Sequence, residues 1–153
     1  METNYSELLQ SLDALIEGID YDITILSNAS ALLNEYLETI NWVGFYLYKD
    51  GILKLGPFQG KVACMTIPLN KGVCGYCATN RETIVVKDVH EFKGHIACDS
   101  NSKSEICVPI IIKGNLYGLL DIDSPIADRF NENDKINLEK ACIIITKELE
   151  KIL

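Results

Sequence analysis

The sequence predicts an α+β fold: a central antiparallel sheet with helices packed on one face and loops over the other. Three observations predict it. Stretches of helical apolar period open and close the chain. Between them the period shortens to that of strands. The clearest strands come in pairs joined by turns too short for a parallel crossover, Lys49-Asp50-Gly51 and Lys113-Gly114-Asn115. A chain of 153 residues is expected to form one domain over 1–153, with a core that needs no disulfide support.

Residues 5–17 read as the first helix, with Leu8, Leu9, Leu12, Leu15 and Ile16 on one face and Gly18 ending it. A second helix over 22–38 carries Ile25, Leu26, Ala29, Leu32, Leu33 and Tyr36. Its Ser27-Asn-Ala-Ser30 segment lowers helix propensity and suits close packing. Asn41 to Tyr48 is aromatic and apolar, a strand that Ile52 to Leu55 pairs back upon, and Val62 to Ile67 reads as a third strand. Lys71-Gly72-Val-Cys-Gly75 opens a short helix reaching about Asn80, and Thr83 to Val86 is a strand. A long loop, Asp88 to Ser104, holds His90, His95 and Cys98. Glu105–Ile112 and Leu116–Asp123 form the second hairpin. Asn131 caps a last helix whose apolar face is Leu138, Ala141, Cys142, Ile145, Leu149 and Ile152, with Asp134 in its first turn. Helices on one face leave the other to the long loops, and a loop of that length inside a compact domain is usually functional.

The net charge of −8 repels phosphate backbones, and no basic stripe with interleaved aromatics relieves it, so no nucleic-acid partner is expected. The same charge disfavours anionic membranes, and no apolar run reaches bilayer length. Met1 to Glu7 lacks the basic and apolar regions of a signal peptide, so a cytoplasmic location is expected. There the six cysteines remain thiols, available for redox chemistry or metal binding.

Cys64, Cys74 and Cys98 lie in motif-rich loops, whereas Cys107 and Cys142 fall on apolar faces and are expected to be core. A nucleophilic thiol needs help to ionise, and His95 precedes Cys98 by three residues. Cys74-x-x-Cys77 with His95-x-x-Cys98 also makes a Cys₃His set with the chemistry of a tetrahedral zinc site, the basis of a rival reading as a zinc-stabilised binding protein. Glu105 begins one strand of the second hairpin. Asp121 and Asp123 end the other, two apart and so on one face. Three carboxylates at one end repel one another unless a cation binds. Trp42 and Tyr46 lie at i and i+4 on one strand face. An aromatic wall beside carboxylates suits an apolar side chain attached to an ammonium group.

Taken together, Asn41-Trp-Val-Gly-Phe-Tyr46, Leu55-Gly-Pro-Phe-Gln-Gly-Lys-Val-Ala-Cys64, Gly72-Val-Cys-Gly75, Asp88-Val-His90, Gly94-His-Ile-Ala-Cys-Asp99, Lys103-Ser-Glu-Ile106 and Gly118-Leu-Leu-Asp-Ile-Asp-Ser124 resemble the GAF-domain enzymes that reduce free methionine-R-sulfoxide. The resemblance covers almost the whole chain. It implies a GAF fold, redox roles for Cys64, Cys74 and Cys98, and a substrate pocket lined by Trp42, Tyr46, Glu105, Asp121 and Asp123. It further implies a cysteine sulfenic acid and disulfide mechanism that repairs oxidised methionine, a dithiol reductant such as thioredoxin, and no metal or organic cofactor. It leaves open which of Cys98 and Cys74 attacks. One departure stands beside it: the family's small Thr-Ala pair after Gly-Val-Cys-Gly is Tyr76-Cys77 here, which adds a fourth thiol near the site. A non-catalytic ligand-sensing GAF module is the other rival, and exposed faces on the terminal helices leave room for a homodimer.

Overall fold

The computed structural model describes residues 2–94 and 101–153; His95, Cys98 and Asp99 lie outside the described residues. Helices α1 (Tyr5–Ile16) and α2 (Asp22–Tyr36) come first, then strands β1 (Trp42–Lys49), β2 (Ile52–Gly60) and β3 (Thr66–Pro68). Helix α3 (Gly72–Asn80) and strand β4 (Ile84–Val86) follow. A short 3₁₀ turn, Val89–Glu91, precedes β5 (Ser104–Ile112), β6 (Asn115–Ser124) and α4 (Glu132–Ile152). The strands form one six-stranded sheet in the order β3-β2-β1-β6-β5-β4, and every pairing is antiparallel. Both expected hairpins form. Asp50 and Gly51 have φ of 56° and 80°, and Lys113 and Gly114 have 52° and 80°. Positive φ at both central residues marks the turn whose twist matches that of the strands.

Alternation along the strands splits the apolar residues between two cores. Val43, Phe45, Leu47, Ile106, Val108, Ile110, Leu120 and Ile122 point to the face covered by α1, α2 and α4. There Leu8, Leu12, Ile25, Leu26, Leu138, Cys142 and Ile145 are buried against them. Ser30 lets α2 approach β2: its hydroxyl donates to Leu26 O at 2.8 Å and to Pro57 O at 3.2 Å. Asn131 and Asp134 close a reciprocal capping box on α4.

Trp42, Tyr46, Leu119 and Cys107 face the other way, into a smaller core covered by α3 and its flanking loops. The expectation of helices on one face and loops on the other therefore holds, with α3 joining the loops. Four local expectations change. The second strand runs on to Gly60 instead of stopping at Leu55. The third strand covers Thr66–Pro68 rather than Val62–Ile67, because 61–65 leaves the sheet and Val62 and Met65 are 89% and 80% exposed. Leu15 is exposed, and Tyr5 takes a place on the buried face of α1 instead. The second helix stops at Tyr36, two residues early.

Candidate active site

The site is assembled by strand register. Trp42 stands opposite Asp123 on β6, and Asp123 stands opposite Glu105 on β5. One step along, Gly44 stands opposite Asp121, and Asp121 opposite Cys107. Two cross-strand rows on one face thus bring the aromatic strand and all three predicted carboxylates together. Because β1 and β6 pair only through tertiary structure, the local sequence does not carry this alignment.

The aromatic wall contains a third ring. Trp42 stacks on Tyr46 with centroids 5.9 Å apart, and on Phe58 at 5.2 Å with planes 16° apart. Phe58 lies beside Gly44 in the β1–β2 ladder, where a Cβ on Gly44 would collide with the Phe58 side chain and come within 2.8 Å of its Cα. Glycine here permits the close approach of the two strands. The polar ends of the two other rings hold the loop after β2. Trp42 Nε1 donates to Lys61 O at 3.2 Å, and the Tyr46 hydroxyl donates to Cys64 O at 2.9 Å. Burial, with Asp121 and then Cys74 and Asp123 adding to it, pushes the Tyr46 hydroxyl up, so it stays a donor. Cys64 is disulfide-bonded, whereas Cys74, Cys77, Cys107 and Cys142 are free.

Helix α3 delivers Cys74 onto the carboxylates. Gly75 makes this possible: a Cβ there would lie 2.5 Å from Pro68 O. The Cys74 thiol lies 3.7 Å from Glu105 Oε2 and 3.5 Å from the Cys107 thiol. Cys107 Sγ in turn lies 3.7 Å from Glu105 Oε2 and 3.3 Å from Asp121 Oδ1. Cys74, Glu105, Cys107 and Asp121 are all buried, none more than 6% exposed. Contact with Cys107 pulls the Cys74 thiol down, but burial and the charges of Asp121 and Asp123 outweigh it, and the group is pushed up to about 12. Burial first, then Asp121 and Asp123, raises Glu105 well above the usual carboxyl range. Burial also pushes the Cys107 thiol up.

Of the predicted site residues, Trp42, Tyr46, Cys64, Cys74, Glu105, Asp121 and Asp123 gather on one face; Cys98 lies outside the described residues. Two residues were missed. Cys107 is buried as expected, but among carboxylates rather than in the helical core; its i+2 spacing from Glu105 was the available signal. Phe58 could be found only through its pairing with Gly44. Cys77 is buried beside Val73 and Ala78 in the smaller core and is not one of the ligand atoms clustered around Cys74. The zinc set read from sequence is thus not the set of four that the described residues bring together.

A family model for the GAF domain matches residues 23–149. The free methionine-R-sulfoxide reductase of Escherichia coli (strain K12) is 45% identical over 149 residues, 97% of this chain and 88% of that protein. The chain belongs to the GAF-domain family of free methionine-R-sulfoxide reductases. Solved members of that family superpose closely. The fRMsr of Staphylococcus aureus in complex with substrate has a TM-score of 0.94 at 56% identity, covering 97% of each chain. The free methionine-R-sulfoxide reductase of Neisseria meningitidis in complex with its substrate has the same TM-score at 38% identity, covering 97% of this chain and 89% of that one. Among the described residues, no helix is long and apolar enough to cross a membrane.

Proposed function

We propose that residues 1–153 form a single GAF domain that reduces free L-methionine (R)-S-oxide to L-methionine. The observation that carries this is the pairing of the Trp42–Tyr46–Phe58 wall with the Glu105, Asp121 and Asp123 carboxylates beside Cys74 and the Cys64 segment. The names and substrate complexes of the relatives support it. Asp121 and Asp123 supply negative charge for the substrate's ammonium group. An acylated nitrogen, as in a peptide-bound methionine, offers no such cation, which explains selection of the free amino acid. The ring wall takes the thioether side chain.

Cys98 thiolate attacks the sulfoxide sulfur. Glu105, held protonated by burial and its like-charged neighbours, donates a proton to the departing oxygen. The sulfur–sulfur bond made in the attack then breaks as the hydroxyl passes from the substrate sulfur to Cys98 Sγ, so methionine leaves, reduced by two electrons, and Cys98 is left as a sulfenic acid. Cys64 or Cys74 then attacks that sulfur. A disulfide forms and water leaves. A dithiol reductant of the thioredoxin class restores both thiols by exchange. Cys98 is preferred to Cys74 as nucleophile because Cys74 is buried and pushed up to about 12, far from the thiolate form. The disulfide at Cys64 supports Cys64 as the resolving residue.

Thioredoxin-coupled turnover with separate R and S epimers of free methionine sulfoxide, and with an N-acetylated R epimer, tests the proposal. Turnover of the free R epimer alone is expected. Equal turnover of the acetylated compound would remove the role of the carboxylates, and no turnover of any of them would favour a ligand-sensing module.

A further inference from the structure

We propose that Cys74, Cys107, Glu105 and Asp121 form a binding site for a thiophilic divalent cation of the zinc class. Among the described residues, one ligand atom from each of these side chains lies within 4.8 Å of every other. Four of the six separations are narrower: 3.5 Å between the two sulfurs, 3.7 Å from Glu105 Oε2 to each sulfur, and 3.3 Å from Asp121 Oδ1 to Cys107 Sγ. Zinc bonds of about 2.3 Å to sulfur and about 2.0–2.2 Å to carboxylate oxygen put tetrahedral ligands roughly 3.3–3.8 Å apart. The four recorded separations fall in that range, so a cation could enter with little rearrangement.

The donor set has the chemistry for it. Two thiolates and two carboxylates bind a borderline-soft dication well, whereas hard cations such as magnesium prefer oxygen alone. The ligands also rest on rigid elements. Glu105 and Cys107 are two apart on β5, and Asp121 is the register partner of Cys107 on β6. Cys74 comes from α3, packed directly on those strands. Binding would exchange thiol protons for the cation and neutralise the buried carboxylates.

This set shares only Cys74 with the Cys₃His pattern legible in the sequence, and it overlaps the substrate pocket. Resting on the function proposed above, it follows that the cation excludes the substrate's ammonium group from Asp121 and deprives Glu105 of its proton. The reductase would then be reversibly shut by free zinc.

The reduced protein, kept reduced with a phosphine, is titrated with Zn²⁺ against a chromophoric chelator. Zinc-edge X-ray absorption then reads the shell of the loaded wild-type protein, a measurement that depends on no variant. One equivalent bound through two sulfur and two oxygen ligands is expected. Cys74→Ser and Cys107→Ser should each weaken binding by more than about tenfold, given that outer partners of metal ligands alone carry 10–100-fold. Cys77→Ser and Cys142→Ser should bind as wild type, with circular dichroism confirming that all four variants fold. Absence of binding, a shell with no sulfur or with three or more, or loss in Cys77→Ser with retention in Cys107→Ser would each overturn the site. Steady-state turnover separates the two proposals. Inhibition by Zn²⁺ competitive with methionine sulfoxide supports both. Stoichiometric binding without inhibition leaves the cation site standing and refutes the assignment of these carboxylates to the substrate.

Discussion

Replacing Glu105 by Gln should cripple turnover and yet stabilise the protein at alkaline pH. Glu105 is 6% exposed, and its carboxylate lies within 4.8 Å of that of Asp121. Two unit charges at that distance repel by about 3.5 kcal/mol at an effective dielectric of about 20. Burial and this repulsion raise Glu105 in the folded state. A carboxyl raised on folding contributes stability that is fully present below its unfolded pKa and lost as pH rises through its folded value. The wild type therefore loses stability as Glu105 ionises, and glutamine, matching the neutral acid in shape, does not. Between mildly acidic and alkaline pH the variant should gain stability over the wild type, by an amount of the order of that repulsion, about 3.5 kcal/mol. At about 2–4 °C in Tm for each kcal/mol, thermal melts at the two pH values resolve that. Activity moves the opposite way, because glutamine cannot donate the proton: kcat/KM should fall by about 10²–10⁴. The wild-type profile should lose activity as pH rises through the Glu105 titration, and that alkaline limb should vanish in the variant. The reasoning fails if Glu105→Gln keeps the wild-type alkaline limb, or if its stability relative to wild type is the same at both pH values.

Asp123→Asn removes a charge proposed to hold the ammonium group, and a hydrogen bond to a charged group contributes about 1.5–3 kcal/mol, so KM should rise by about 10–150-fold; an unchanged KM would restrict Asp123 to the sheet edge. Cys98→Ser should abolish single-turnover methionine formation with the thermal melt unaltered, and near wild-type yield would transfer the attack to Cys74. In the wild type treated with one equivalent of methionine sulfoxide, peptide mapping should find Cys98 linked to Cys64 or Cys74; a dominant Cys74–Cys77 bridge would show that the Cys-Gly-Tyr-Cys segment has taken over the exchange. Gly44→Ala drives a methyl group into Phe58, whose Cα lies 2.8 Å from the new Cβ, so it should destabilise by about 1–3 kcal/mol; a denaturation midpoint equal to wild type would mean that the strands separate freely at this point.

Local signals were sufficient for most elements. The Asp50-Gly51 and Lys113-Gly114 turns demand positive φ at both central residues, so they declared both hairpins. Asn131 with Asp134 declared the start of α4. Period-2 alternation put Trp42 with Tyr46, and Asp121 with Asp123, on common faces, because side-chain direction in a strand follows from position alone. The failures lie where tertiary contacts override local preference. Val62 is a good strand residue, yet the Trp42 and Tyr46 polar atoms draw that segment out of the sheet through Lys61 O and Cys64 O. The sequence by itself thus determined most of the elements and the facing of their side chains. Only the tertiary structure decided that β6 lies between β1 and β5, which joins Trp42, Asp123 and Glu105 in one row. It alone set the thiol of α3 against that of β5, making Cys107 a neighbour of Cys74 and two carboxylates. Pairing order and helix docking join residues remote in sequence, and no local pattern specifies which partner a given face will meet.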